Sequence, residues 1–393
     1  MSSSAQYRNF ISDALRTALL SHGAVLLITL CIPAIIANRF GLLYLGQILP
    51  VYMLFYFLQY LIHFNFSYSM NTATPGQHDD LFTEWENAIR ARTTIAFLSV
   101  STLFLLQIPI IILLSGFLWS LFRFYNLSYF FMPGGDAHLP HRIIIEWILH
   151  LIGLAILIVY PGIFTAEIFF NILAGLELLK FLIHSTITGV NFKFPLLPRV
   201  NFTVIQQNTS YFISSLVSFL KNKIILLPAI LMLPGLALGK FYMIFLWVMA
   251  GIQISYPFMK NKINSFQFLN NGEINRHSLK FTIYGSLVSF IWTCGGYFLL
   301  AATNADLYRQ PELMIPVFLI SLFSFYNIPK EYLLIKYREG RNIDLMNGLL
   351  LPLQIAGSVI AFSSGNSIHC FWILLITSVL YTISIHYFCR KLV

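Results

Sequence analysis

The stretch SSLVSFLKNKIILLPAILML, Ser214 to Leu233, decides how the chain is to be read. It is as long and as apolar as a bilayer crossing, yet Lys221 and Lys223 sit near its middle. A helix advances about 100° per residue, so residues two apart point about 200° from one another. Both lysines therefore face one cavity only if the helix is distorted, and Pro228, whose ring excludes the backbone bond to the carbonyl of Ile224, is placed to distort it. One reading puts at most one of these cations in a polar cavity inside the membrane, with the other reaching a neighbouring helix unless the helix is distorted. The other makes KNK a surface turn and Ile224 to Gly239 a short re-entrant piece; sixteen residues reach about 24 Å as helix, under the roughly 30 Å hydrocarbon core.

Composition identifies the solvent those lysines meet. Of 393 residues, 58% are hydrophobic and only 10% charged, with 37 Phe and 20 Tyr. A bundle of bilayer-length helices leaves such surface facing lipid, where a soluble domain of this length has nowhere to hide it. The expected fold is all-α and polytopic. The N-terminal MSSSAQYRNFISDALRT lacks the basic region, short apolar core and small-residue cleavage site of a secretory signal, so the first apolar run is expected to be a retained span. The net charge of +9 comes from basic residues in short loops, where they set topology, and nucleic-acid binding is rejected. Cys31, Cys294, Cys370 and Cys389 show no CxxC spacing and read as packing residues.

Apolar runs fall at 14–36, 41–64, 94–114, 143–161, 164–188, 210–234, 238–259, 279–302, 312–329, 345–363 and 367–389. The stretch from Thr94 to Phe131 is too long for one span, and Ser115-Gly116 near its middle suggests a hairpin whose second helix, 117–132, carries Arg123. Lys and Arg collect in cytoplasmic loops. Lys260, Lys262, Arg276 and Lys280 mark one such loop; Lys330, Lys336, Arg338 and Arg341 mark another, with TNADLYRQPE on the far side between them. Arg8 and Arg16 at one end and Arg390 and Lys391 at the other put both termini inside. Two ends on one side require an even number, so twelve spans are expected. They form two six-helix halves, 1–190 and 210–393, joined by a cytoplasmic connection at 191–209, a plan common in transporters.

The order of features resembles that of Wzx-type O-antigen flippases, lipid flippases related to multidrug exporters. IHFNFSYSMNTATPGQHDDLFTEWENAIR resembles the aromatic-Asn-x-Ser segment leading into a charged cytoplasmic loop before the third helix. FKFPLLPRVNFTVIQQNTSYFISSLVSFL resembles the mid-chain connection entering helix seven, and GKFYMIFLWVMAGIQISYPFMKNKI the eighth helix, with its aromatic-Pro before a basic loop. NIPKEYLLIKYREGR through LLLPLQIAGSVIAFSSGNSIHCFWILLITSVLY is similar to the last three helices. The resemblance implies transport of an undecaprenyl-pyrophosphate-linked oligosaccharide across a bacterial inner membrane, coupled to an ion gradient. The implied partners are that lipid-linked glycan and membrane lipid; an O-antigen polymerase and a chain-length regulator are further candidates.

An anionic lipid-linked glycan needs a wet, cationic cavity, and each Lys or Arg inside a span costs roughly 2.5 to 3.5 kcal/mol on insertion scales. Candidate substrate-binding residues are accordingly Lys221, Lys223, Arg123 and Lys180. Glu146 and His150, four apart on one helix face, form a candidate proton site, with Glu167 and Glu177 as alternates. Each has a structural alternative: Glu146 as a first-turn surface residue, His150 as a satisfied buried group, and Glu177 and Lys180 as mutually neutralising neighbours. Asp79 and Asp80 begin an amphipathic run and read as a solvated helix start rather than a metal pair. NFT at 201–203 and NTS at 208–210 fall on the inferred cytoplasmic side, which excludes glycosylation.

No nucleophile elbow, HExxH, Walker loop or nucleotide fingerprint occurs, and no cofactor or metal is expected. A transporter, not an enzyme, is the first reading. A membrane glycan enzyme such as an O-antigen polymerase is the second, and a receptor or channel the third. The alternating basic loops yield a direct test: reporter fusions at Gly135 and Asn304 should report cytoplasmic and periplasmic sides respectively, and agreement on one side rejects the twelve-span arrangement.

Overall fold

A computed structural model describes residues 31–63, 78–104, 108–124, 139–159, 165–188, 202–255, 271–303, 310–336 and 340–391. Among them the chain forms thirteen α-helices and one 3₁₀ turn, Pro311–Leu313, with no strand. The helices are α1 Ile32–Phe40, α2 Leu42–His63, α3 His78–Phe104, α4 Ile110–Phe124, α5 Leu139–Val159, α6 Ala166–Thr188 and α7 Phe202–Lys223. They continue as α8 Leu226–Met232, α9 Gly235–Gln253, α10 Asn271–Thr303, α11 Met314–Lys336, α12 Gly340–Ser363 and α13 His369–Lys391. Six of them are long and apolar enough to cross a membrane, or seven if the bent pair α7–α8 is one span. The protein is thus an all-α, polytopic membrane protein. The six or seven helices counted among the described residues do not reach the expected twelve.

The chain folds as two compact units, one of Met1–Gln47 with Val217–Val393 and one of Ile48–Leu216. Both junctions fall inside helices, the first in α2 and the second in α7.

In the first unit α9 is central. Every residue from Phe241 to Gly251 is buried, as befits a helix that is apolar all round. Polar links tie it to its neighbours. Trp247 and Trp292 of α10 each donate an indole N–H to the other's backbone carbonyl, at 3.4 and 3.1 Å. Ser321 of α11 donates to the Gly251 carbonyl at 3.0 Å and lies 2.9 Å from Ser289 of α10. On α10, by contrast, Leu279, Ile283, Leu287, Phe290, Ile291 and Phe298 form a continuous exposed apolar face. Water would oppose such a stripe, whereas lipid is its natural solvent.

Where α2 meets α9 the backbones touch. A Cβ on Gly46 would overlap the Gly235 carbonyl, and one on Gly239 would overlap that of Leu42. Small residues at a crossing let membrane helices exchange dispersion contacts that lipid cannot supply. Gly41 supplies the positive φ of 95° that separates α1 from α2.

The second unit rests on α4 and α6. Trp119 packs on Tyr52 and Phe170, at ring separations of 5.6 and 6.0 Å, and Phe55 on Phe170 at 5.2 Å. The expected hairpin break at Ser115-Gly116 is not present. Both residues lie inside α4: the Ser115 hydroxyl is hydrogen-bonded to the Ile111 carbonyl and to Asn171 of α6, and Gly116 makes room for the Phe55 ring. Helix is instead absent at Ile108 and Pro109, where Pro109 precedes the first turn of α4 and its missing N–H leaves no intrahelical bond unmade. The second helix of the pair is therefore Ile110–Phe124, not 117–132, and it still carries Arg123 near its end.

Glycine substitutions separate contact from propensity. Gly46→Leu or Gly239→Leu is expected to lower the thermal midpoint in micelles, with an overpacking cost of about 1 to 3 kcal/mol. Gly295→Ala, whose Cβ meets nothing within 4 Å, should be neutral or slightly stabilising through helix propensity.

Candidate functional site

The eight charged residues singled out in the sequence divide between the units. Arg123, Glu146, His150, Glu167, Glu177 and Lys180 belong to the second, Lys221 and Lys223 to the first.

In the second unit Arg123 donates from Nη1 to Gln59 Oε1 at 2.9 Å and lies 5.8 Å from the centroid of the Tyr56 ring. Gln59 is buried, and no carboxylate among the described residues contacts the guanidinium. Lys180 differs: Glu177, one turn earlier on α6, lies 3.8 Å from its ammonium. Glu167 occupies the first turn of α6 and is hydrogen-bonded to Thr165, whose hydroxyl also accepts the Ile168 N–H. A carboxylate there complements the helix dipole. His150 is half-buried on α5 one turn after Glu146, whose side chain lies outside the described residues.

The first unit answers the question raised by KNK. Helix α7 ends at Lys223, Ile224 and Ile225 form a turn, and α8 resumes at Leu226, the two segments bent by 49°. The Ile224 carbonyl, which a regular helix would offer to residue 228, instead accepts from the Leu227 N–H at 3.0 Å. Pro228 has no N–H with which to claim it. The bend lies ahead of Pro228, where the sequence allowed a distortion, in a pair that is either a broken span or a re-entrant loop, and both lysines are half-buried. They meet different helices. The Lys221 ammonium sits 3.1 Å from the centre of the Tyr381 ring on α13, and that of Lys223 5.2 Å from the Phe245 ring on α9.

Tyr381 does two things at once. Its face receives Lys221, and its hydroxyl donates to Glu331 Oε1 on α11 at 2.8 Å. The carboxylate draws on the phenol proton and so enriches the ring that holds the cation. Glu331 also acts on Lys221 through space. No hydrogen-bond acceptor among the described residues takes a Lys221 N–H, and the N–H groups not directed at the ring are the ones that can meet an anion.

Around this contact runs a polar seam between α11 and α13. Asn327 donates to the Thr382 hydroxyl at 2.8 Å; Lys330 lies 2.8 Å from His386 Nδ1 and 3.8 Å from the Tyr326 ring centre; the Cys389 thiol reaches the Lys330 carbonyl at 3.6 Å. Lys330 is fully buried. It therefore does not mark a surface loop: α11 continues to Lys336, and the helical period turns residue 330 inward with Asn327. Sequence reasoning missed Lys330, Glu331, Tyr381 and His386. The signal was the spacing of Asn327, Lys330 and Glu331 against Thr382 and His386, which puts matching polar groups on facing turns.

No family model matches the chain, and no curated protein or solved structure shows significant similarity to it.

Substitutions at position 381 separate the two roles. Tyr381→Phe keeps the ring but removes the donor to the Glu331 carboxylate and should cost about 1.5 to 3 kcal/mol. Tyr381→Leu also removes the cation contact, worth about 2 kcal/mol when desolvated. Thermal unfolding in micelles should rank them in that order, and equal midpoints would deny Lys221 its aromatic seat.

Proposed function

We propose that the protein is a secondary transporter that moves an anionic lipid-linked glycan between membrane leaflets. The observation that carries this reading is Lys221: a half-buried ammonium within a bent, apolar helix pair, held by an aromatic face, with no acceptor among the described residues for its N–H groups. A cation so placed is stabilised where it is but not neutralised by direct contact. Its N–H groups away from the ring can donate to a phosphate oxygen at small rearrangement. Arg123, held by Gln59 and Tyr56, repeats the arrangement in the other unit. Of the remaining candidates, Lys180 already has Glu177 beside it.

The finer reading follows the resemblance to O-antigen flippases. The substrate is an undecaprenyl-pyrophosphate-linked O-antigen unit, the membrane is the bacterial inner membrane with both termini cytoplasmic, the spans number twelve, and an ion gradient drives the step. No bond is made or broken, so the protein is not an enzyme.

Reconstitution in liposomes with a labelled lipid-linked glycan tests this by following its leaflet position and chain length together. Lys221→Ala should reduce flipping roughly tenfold or more, the loss of a charge-assisted contact of about 1.5 to 3 kcal/mol. Lys223→Ala, whose cation lies against Phe245 on another helix, should have the smaller effect. Lengthening of the glycan would favour a polymerase, and unchanged flux in both variants would remove Lys221 from the substrate path.

A further inference from the structure

The Lys330–His386 contact has a property that the rest of the seam lacks. An ammonium has three donors and no acceptor, so His386 Nδ1, 2.8 Å away, must be the acceptor, with the ring neutral and its proton on Nε2. The bond joins α11 to α13, and only one of its two groups is sealed. Lys330 is fully buried, whereas His386 is half-buried near the end of α13, one turn before exposed Arg390. A hydrogen ion can therefore reach the imidazole without crossing the core.

We infer that Lys330 and His386 form a proton-binding site that clamps α11 to α13 when His386 is neutral and releases them when it takes up one proton. The proton adds to the Nδ1 lone pair, and no bond other than the Lys330 hydrogen bond is lost. Two N⁺–H groups then face one another, neither able to accept, at a spacing where like charges repel strongly in a poorly solvated seam. Among the described residues, no other group cancels that repulsion by direct contact with the pair. On α11, Glu331 is engaged by the Tyr381 hydroxyl; on α13, Arg390 adds a further positive charge to the field at His386, and Cys389 is bonded to the Lys330 carbonyl. From α7, Lys221 lies over Tyr381. From α12 the packed side chains are the apolar Ile343, Met346 and Leu350, with half-buried Asp344 as that helix's one acid. Helix α9 meets α11 at Gly251 against Ser321, whereas α10 runs antiparallel along it, Ser289 at Ser321 and Gly285 at Phe325, a register that brings exposed Lys280 level with Lys330 and adds positive charge rather than an acid.

Cys389 supplies the readout, because it is buried and bonded across the same seam. A protein retaining only Cys389 is placed in liposomes and labelled with a pyridyl disulfide. Its rate is divided, at each pH, by that of a protein retaining only half-buried Cys294, which removes the reagent's own pH dependence. The normalised rate should rise several-fold as the pH falls from about 8 to about 4, a window carried below that of a free imidazole because Lys330 and Arg390 oppose the second charge. His386→Gln accepts from Lys330 and cannot titrate, so it should stay closed. Lys330→Gln offers both a donor and an acceptor, satisfies either form of His386, and should also abolish the rise. A flat profile in the parent protein, or a rise that persists in either variant, overturns the inference. What the opening serves rests on the transport reading, but the labelling needs no substrate, so a failure here is distinct from a failure of glycan flipping.

Discussion

A charge placed inside a bilayer-length helix has to be met by something other than water, and in this protein aromatic faces and neutral polar groups do much of that. Lys221 lies on Tyr381, Lys223 on Phe245, Lys330 on Tyr326 and His386, and Arg123 between Gln59 and Tyr56. Lys180, by contrast, has a carboxylate brought beside it by its own helix, at Glu177. The distinction matters for chemistry. A buried ion pair is internally satisfied, and opening it leaves a stranded charge. A cation on a π face keeps its full charge and some of its donors, and so remains able to greet an anion.

The backbone is shaped to the same end. Helix α7 ends just after its two lysines, which the helical period points to opposite sides, so that Lys221 meets α13 and Lys223 meets α9. The Ile224 carbonyl, which Pro228 leaves without its regular partner, is taken up locally by the Leu227 N–H, so the break adds little unsatisfied polarity at membrane depth. Elsewhere the helices are held by close packing and neutral hydrogen bonds rather than charge: glycine crossings at α2 and α9, the reciprocal Trp247–Trp292 bonds, and Ser321 between Ser289 and Gly251. The seam of α11 and α13 is the exception, and its polar groups face one another in register. Asn327 opposes Thr382 and Lys330 opposes His386, three and four residues further along two helices that run in the same direction.

Much of this was legible in the residues alone. Apolar run length and a charged fraction of 10% sufficed for an all-α membrane protein, because the bilayer admits few other solutions to backbone hydrogen bonding. The offset of about 200° between Lys221 and Lys223 left two outcomes, different neighbours for the two lysines or a helix distorted ahead of Pro228, since both follow from local geometry. Local chemistry also accounts for the Glu177–Lys180 pair and for Glu167 at a helix start. Tertiary structure decided what depends on distant neighbours. Ser115-Gly116 looks like a turn in sequence but is helix interior, because Asn171 and Phe55, far from it along the chain, occupy the space beside it. Lys330 looks like a loop charge at the end of an apolar run, yet α11 continues past it and His386 closes over it. A sequence records which residues carry charge; only the packing of α7, α11 and α13 determines which of those charges are neutralised and which are merely held.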